Sequence, residues 1–283
     1  MIGYGLSLGK STIINLLFAA KEFLKGRYDG LVKAVREGSL MYNDETGWLV
    51  HGQPAWLWVM ANPDTTIYTA AESRGKGIFE SIYGNSQAKS MHDGYVTYES
   101  VTGSDRSLYC WSHFLRFTYE ETVNDPKGSE PIKLRDSLVA IYHLGRYLSF
   151  KATTIQEKME TEKILSAKLD ELIKVKPTTT SMVNILKRLT VQKKGLVQAL
   201  LLTYDGTNNL SERELRPLAI HRQITNGSDT FRGMETTAIL ASVVRTQTKR
   251  VDENFWTGLK TTFLKGIQEK YPQYLHQAFI DDT

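Results

Sequence analysis

The chain has 283 residues, 41% of them hydrophobic, and a formal net charge of +4, which is material for one large domain or a domain with a sizeable insertion. A sequence pI near 8.9 favours polyanionic partners, but so mild an excess does not by itself establish nucleic-acid binding. Its one cysteine, Cys110, excludes an intrachain disulfide framework and fits a reducing, intracellular setting.

Residues 11 to 37 carry apolar groups at helical spacing, broken at Gly26 and closed at Gly38, a pattern that predicts two short helices in an N-terminal segment over 1–38. The run Ile13 to Ala20 after Lys10 imitates a signal peptide, but it continues as Lys21-Glu22-Phe23-Leu24-Lys25, an amphipathic pattern and not a cleavage site. No run is apolar for long enough to span a bilayer, so a soluble, cytoplasmic protein is expected. Gly5 to Thr12 imitates a phosphate-binding loop. Gly5 leaves three residues before the Gly9-Lys10 pair and Gly3 leaves five, where four are required, and Tyr4 holds the needed position. A helix capped by Ser11 or Thr12 is the reading kept.

From Leu40 the texture becomes β-rich: Leu40 to Val50, Ala55 to Ala61 and Thr65 to Ala71, separated by Gly52-Gln53-Pro54 and Asn62-Pro63-Asp64, connections short enough to imply an antiparallel meander. A helix over Gly75 to Tyr83 follows, then strands near Ser90 to Asp93 and Leu108 to Trp111, giving the order β-β-β-α-β-α-β. Residues 133 to 202 read as long helices with a break at Pro177-Thr178-Thr179-Thr180. Between Arg146 and Lys194 stand eleven Lys or Arg against five Asp or Glu, a surplus of six that exceeds the net charge of the whole chain. After Asn208-Asn209 come three helical runs, the first with Glu212, then Phe231 to Thr246 and Asn254 to Tyr271. The division expected is a first part of the main α/β domain over 39–122, a mainly helical basic insertion over 123–206, and the last part of the domain with C-terminal helices over 207–283.

Three acids stand out by placement. Asp44, in Tyr42-Asn43-Asp44-Glu45-Thr46-Gly47-Trp48, is either a turn aspartate or a charge inside a strand, where it is costly unless paired or metal-bound. Asp93, in His92-Asp93-Gly94-Tyr95, is either part of a common turn dipeptide or a carboxylate at a strand's C-terminal end, facing a cleft. Glu212 follows Asn209 by three, the spacing of a capping box. Each alone is weak; an acid in the first strand, one ending the fourth and one on a late helix together resemble a ribonuclease-H-like arrangement. Three hard oxygen donors there suit Mg²⁺ or Mn²⁺. Cys110 and His113 are three apart, but no second pair has zinc-site spacing; His113 either lies near the acidic site or satisfies a local hydrogen bond.

Asp44-Glu45-Thr46-Gly47-Trp48, Trp56-Leu57-Trp58-Val59, Asn62-Pro63-Asp64-Thr65-Thr66, Glu72-Ser73-Arg74-Gly75, Asp93-Gly94-Tyr95, Cys110-Trp111-Ser112-His113, Asn208-Asn209, Glu212-Arg213 and Leu215-Arg216-Pro217 resemble, in order, the transposases of the insertion sequence 66 family. The resemblance runs from about Leu40 to Thr246. It implies an α/β, ribonuclease-H-like mixed five-stranded sheet whose first three strands are antiparallel, with flanking helices and a long helical insertion before the last catalytic helix. It implies a DDE triad on Asp44, Asp93 and Glu212 holding two Mg²⁺ or Mn²⁺ ions, and metal-dependent cleavage and strand transfer of DNA. Arg213 and Arg216, one helical turn apart, are then set to face DNA phosphates, and His113, Lys187, Arg188, Lys193 and Lys194 are the further DNA-facing candidates. The implied partner is double-stranded DNA, as transposon ends and target, in a prokaryotic, nucleoid-associated setting without a membrane. A homodimer and accessory proteins of the same element stay open. Family members usually carry a zinc-finger-like, DNA-binding region upstream, and this chain begins just before the core, so recognition of the ends is not assigned to it. Two alternatives remain: a ribonuclease-H-like nuclease without strand transfer, and a degenerate, non-catalytic DNA-binding remnant.

Overall fold

The computed structural model describes residues 8–125, 129–203, 205–249 and 254–272. Gly3, Tyr4 and Gly5 of the imitation phosphate loop lie outside them. In chain order the described residues form α1 (Lys10–Arg36), β1 (Leu40–Val50), β2 (Gln53–Ala61), β3 (Thr66–Ala71), α2 (Lys76–Tyr83), β4 (Lys89–His92), α3 (Val96–Thr102), β5 (Ser107–Tyr109), α4 (Trp111–Asn124), α5 (Ser129–Lys151), α6 (Ile155–Ile173), α7 (Thr180–Thr203), α8 (Asn209–Thr225), α9 (Phe231–Gln247) and α10 (Phe255–Lys270). This is the expected mixed α/β class: three antiparallel strands, two parallel ones, flanking helices, and the order β-β-β-α-β-α-β from β1 to β5. No described helix is long and apolar enough to cross a membrane. The chain divides into two compact units, Met1–Ser86 with Ser211–Thr283, and Gln87–Leu210.

In the first unit β1, β2 and β3 form the expected meander, with Asp44 opposite Val59 and Trp58 opposite Thr69. Strand β2 starts at Gln53, two residues before its expected start, and takes in Pro54 opposite Leu49, because proline is tolerated near a strand's first residue. Leu57 to Ala61 are buried without alternation, as in a strand covered on both faces. Helix α9 packs on β3 and α1 packs on α9. Their inward faces, Met234, Ala238, Ile239 and Val243 on α9 and Leu24, Tyr28, Leu31 and Val35 on α1, are buried at three- and four-residue spacing.

Instead of two short helices, α1 is one continuous helix of 27 residues. A glycine inside a helix costs about 1 kcal/mol, and the buried stripe on either side of Gly26 outweighs that. Gly9 holds the N-cap position without a side-chain cap, so Ser11 and Thr12 lie inside the first turn and neither caps it. Helix α10 also packs on α1. It approaches so closely that a Cβ on Gly266 would stand 2.0 Å from the Phe23 carbonyl oxygen.

In the second unit β4 and β5 pair in parallel, with Ser90 opposite Ser107 and His92 opposite Tyr109. Helix α7 lies on β5, α4 and α6 each pack on α5 and α7, and α5 packs on α7. Trp111, Phe114, Leu138, Leu165, Leu169, Ile185, Leu189, Leu196 and Leu200 belong to one buried cluster, and the Trp111 indole donates to the Leu196 carbonyl at 2.9 Å. The expected break near Pro177 separates α6 from α7. A second break, at Ala152 to Thr154, separates α5 from α6. It is built by a capping box in which Thr154 accepts from the Glu157 N–H and the Glu157 carboxylate accepts from the Thr154 N–H. Those backbone donors, with Thr153, hold the Glu157 carboxyl down at about 2.

Candidate active site

Asp44 lies inside the paired strand β1 and is half-buried, and its Oδ1 accepts from the Glu45 N–H at 2.9 Å. The strand reading therefore holds and the turn reading does not. Side chains alternate across a strand, so Asp44 stands on the face opposite Asn43 and Glu45. Glu45 is a structural acid: its side chain is buried and paired with Arg74, whose guanidinium lies 5.1 Å over the Trp56 ring.

Asp93 comes one residue after β4, which ends at His92. Its Oδ1 accepts from the Tyr95 N–H at 2.8 Å, the aspartate turn in which a side chain replaces a backbone acceptor. Gly94 has φ 94° and donates to His92 Nδ1 at 3.1 Å. A Cβ there would meet Arg188 Nη2 and Gln192 Nε2, each at 3.0 Å, so the backbone conformation calls for glycine and a side chain would also have to push those two side-chain ends aside. Turn and strand end are thus one local structure, with the carboxylate fixed by its own backbone.

His92 was not among the residues singled out from the sequence. It is fully buried, stacked on Tyr98 with ring centroids 5.0 Å apart and meeting the edge of Tyr109 at 5.1 Å. Burial pushes its pKa down to about 3, so the ring is neutral. With Nδ1 accepting from Gly94, the proton belongs on Nε2.

Glu212 lies in the first turn of α8, exposed. The helix opens at Asn209 itself, which leaves Asn208 ahead of it, so the capping box expected from Asn209 is out of register by one residue. The inward face of α8 is Ser211, Glu214, Leu215 and Leu218; Arg213 and Arg216 are exposed beside Glu212.

Glu214 is the acid the sequence reading passed over. Its buried carboxylate accepts from Arg245 Nε at 2.7 Å and Thr66 Oγ1 at 3.1 Å, with Lys249 Nζ at 3.7 Å. Its backbone carbonyl accepts from the Tyr68 hydroxyl. The hydrogen bond from Arg245 raises that guanidinium's pKa, burial lowers that of Lys249 against the pull of Glu214, and burial together with Glu214 pushes the Tyr68 phenol up. The network fastens the helix that carries Glu212 to β3 and α9. The spacing Ser211-x-x-Glu214-Leu215-x-x-Leu218 was the signal that could have found it, since it puts Glu214 on the apolar stripe.

Four of the DNA-facing candidates lie on α7. Lys187 and Lys194 are exposed; Lys194 pairs with Asp105, and Lys193 with Asp170 at 2.7 Å. Arg188 is half-buried, its guanidinium 4.5 Å over the Phe117 ring, donating to Gln192 Oε1 at 3.2 Å and to the Asp93 carbonyl at 3.5 Å. Lys187, Arg188, Val191 and Gln192 line an open groove of about 450 Å³ with Phe117, Glu121 and Asn184. His113 sits in the first turn of α4, half-buried, its nitrogen within 4.8 Å of the Cys110 sulfur. That sulfur accepts from the Asn208 N–H at 3.2 Å.

The sequence model described as the IS66 family of transposases matches residues 2–236, a span that includes Asp44, Asp93 and Glu212. An uncharacterized protein of Sinorhizobium fredii (strain NBRC 101917 / NGR234), y4jD, is 22% identical over 278 residues, covering 86% of this chain and 53% of that protein. The chain therefore spans about half the length of the curated relative it matches. With more than four fifths of its residues under the family match, the chain belongs to the IS66 family of transposases.

Proposed function

We propose that the chain supplies the catalytic core of a DDE transposase, cutting DNA at transposon ends and joining the freed 3′ ends to target DNA. The family match carries this reading. It is supported by the settings of the three acids: Asp44 within β1, Asp93 on the turn after β4, and Glu212 in the first turn of α8. Three carboxylates are the hard oxygen donors that fit Mg²⁺ or Mn²⁺, and two such ions, when bound, would stabilise the attacking and leaving oxygens of phosphodiester chemistry.

The chain's own residues then do the positioning. Strand pairing fixes Asp44, the aspartate turn fixes Asp93, and the buried Glu214 network fixes the helix of Glu212. Arg213 and Arg216, exposed on the same helix, are placed to meet phosphates, and Lys187, Lys193, Lys194 and His113 are the further DNA-facing groups; Arg188, its guanidinium engaged by Phe117, Gln192 and the Asp93 carbonyl, is set apart from them. The setting proposed is the cytoplasm of a prokaryote, on nucleoid DNA, with a homodimer and accessory proteins of the same element as candidate partners.

The test is cleavage and strand transfer on end-bearing DNA by the full-length protein, with Mg²⁺ or Mn²⁺. Asp44→Asn should abolish metal-dependent cleavage while leaving melting temperature and DNA binding near the wild-type values. Wild-type nicking by that variant would remove Asp44 from the site. Cleavage without joined product from pre-cleaved ends would reduce the activity to that of a nuclease.

A further inference from the structure

We infer that Arg188 is a positioning residue for Asp93, acting through the backbone of the turn that presents the carboxylate. The inference rests on the proposed role of Asp93 as a metal-holding acid and adds a residue to it. Three contacts set this arginine apart from the other cations of α7. Its guanidinium lies over the Phe117 ring at 4.5 Å, its Nε is hydrogen-bonded to Gln192, and its Nη2 donates to the Asp93 carbonyl. The last meets a turn built to receive it: Gly94, with φ 94°, leaves room for Arg188 Nη2 and Gln192 Nε2 where a side chain would otherwise stand. The aromatic platform holds the plane of the guanidinium, Gln192 sets its rotation, and Nη2 reaches the turn. Lysine cannot reproduce this, having neither a planar fork nor a stacking face.

Two roles for a cation beside a metal-holding carboxylate differ in sign. If Arg188 acted only through its charge, removing it would tighten metal binding, because a competing positive charge would be gone. If it shapes the turn, removing it lets the Asp93 carboxylate wander, and metal binding weakens; losing an outer partner of a ligand typically weakens metal affinity about 10- to 100-fold.

The experiment measures Mn²⁺ affinity by electron paramagnetic resonance on the full-length protein without DNA, for wild type, Arg188→Gln, Arg188→Lys, Phe117→Leu and Asp93→Asn. DNA affinity and melting temperature are recorded in parallel. The expected result is Mn²⁺ binding weakened about tenfold in Arg188→Gln, comparably in Arg188→Lys despite its retained charge, and in the same direction in Phe117→Leu, which leaves the arginine but removes its platform. DNA affinity should change by less than about threefold. Unchanged or tighter Mn²⁺ binding in Arg188→Gln, or full rescue by lysine, overturns the inference, as does a loss confined to DNA affinity. If Arg188→Gln does not fold, the Phe117→Leu result decides by the same criterion. Asp93→Asn separates the two levels: wild-type Mn²⁺ affinity there removes Asp93 from the metal site, whatever Arg188 does.

Discussion

Glu214→Gln is the sharpest test of how the helix bearing Glu212 is held. Glutamine has nearly the same shape and can still accept from Arg245 and Thr66, so the substitution removes charge and little else. The Glu214 side chain is 2% exposed, Lys249 12% and Arg245 32%. Removing one partner of a buried ion pair costs about 3–5 kcal/mol, because the other charge is left uncompensated. Arg245 regains some hydration at its exposed edge, which argues for the lower end, about 3 kcal/mol. For a protein of this size about 2–4 °C of melting temperature goes with each kcal/mol, so the variant should melt roughly 6–12 °C below wild type. Lys249 keeps its hydrogen bond to the Asn62 carbonyl but loses its counter-charge, which accounts for much of the loss, so Lys249→Met should cost less in the Glu214→Gln background than in wild type, a non-additivity that a double-mutant cycle in urea measures. A single-variant loss below about 1 kcal/mol, or additivity within about 0.5 kcal/mol, would refute the claim that this buried pairing fastens α8.

Other expectations follow from local geometry. Because the pKa of His92 falls to about 3 on folding, the unfolded chain takes up a proton below its ordinary value near 6.5 while the folded chain does not. Stability is therefore lost as pH falls from 6.5 towards 3, amounting to about 2 kcal/mol at pH 5; urea titrations at pH 7 and pH 5 should show this loss in wild type and not in His92→Phe. Gly94→Ala forces a side chain into φ 94° and against Arg188 and Gln192, which should cost about 1–3 kcal/mol by chemical denaturation, and a loss below 0.5 kcal/mol would show that the turn relaxes freely. In Gly266→Ala the new Cβ meets a backbone oxygen, the Phe23 carbonyl, which cannot rotate away, so α1 and α10 must separate; overpacking of this kind costs about 1–3 kcal/mol, and an unchanged denaturation midpoint would refute the close approach.

The strands and most helices were legible because their signals are local. β-rich runs separated by short Gly/Pro/Asn connections marked β1, β2 and β3, and Asn254 marked the start of α10, whose first amides it caps. What escaped was decided by tertiary packing. Gly26 looks like a break because glycine lowers helix propensity, yet nothing local shows that α9 and α10 cover the helix on either side of it. The break at Ala152 to Thr154 did have a local signal, Thr154 with Glu157 three residues on, which the helical reading of 133 to 202 ran through. Arg188 and its neighbours on α7 read alike as cations in a basic stretch; only the fold shows that one of them lies on Phe117 and reaches the Asp93 turn.

The same distinction governs the acids of α8. Glu212 and Glu214 are two residues apart, about 200° around a helix, so one helix can bury only one of them against the core. Glu214, on the stripe with Ser211, Leu215 and Leu218, has its charge met by Arg245 and Lys249 and its shape by Thr66. Glu212 is thereby turned outward with Arg213 and Arg216, the direction a residue must take to meet a metal or DNA. β1 repeats the logic with a period of two: Glu45 is buried against Arg74, and Asp44, its neighbour, takes the opposite face. In each case a structural acid beside the proposed catalytic one sets its direction. Neutralising the structural acid should therefore weaken chemistry through loss of orientation, a route distinct from removing a ligand and one that the local sequence around Asp44 or Glu212 does not reveal.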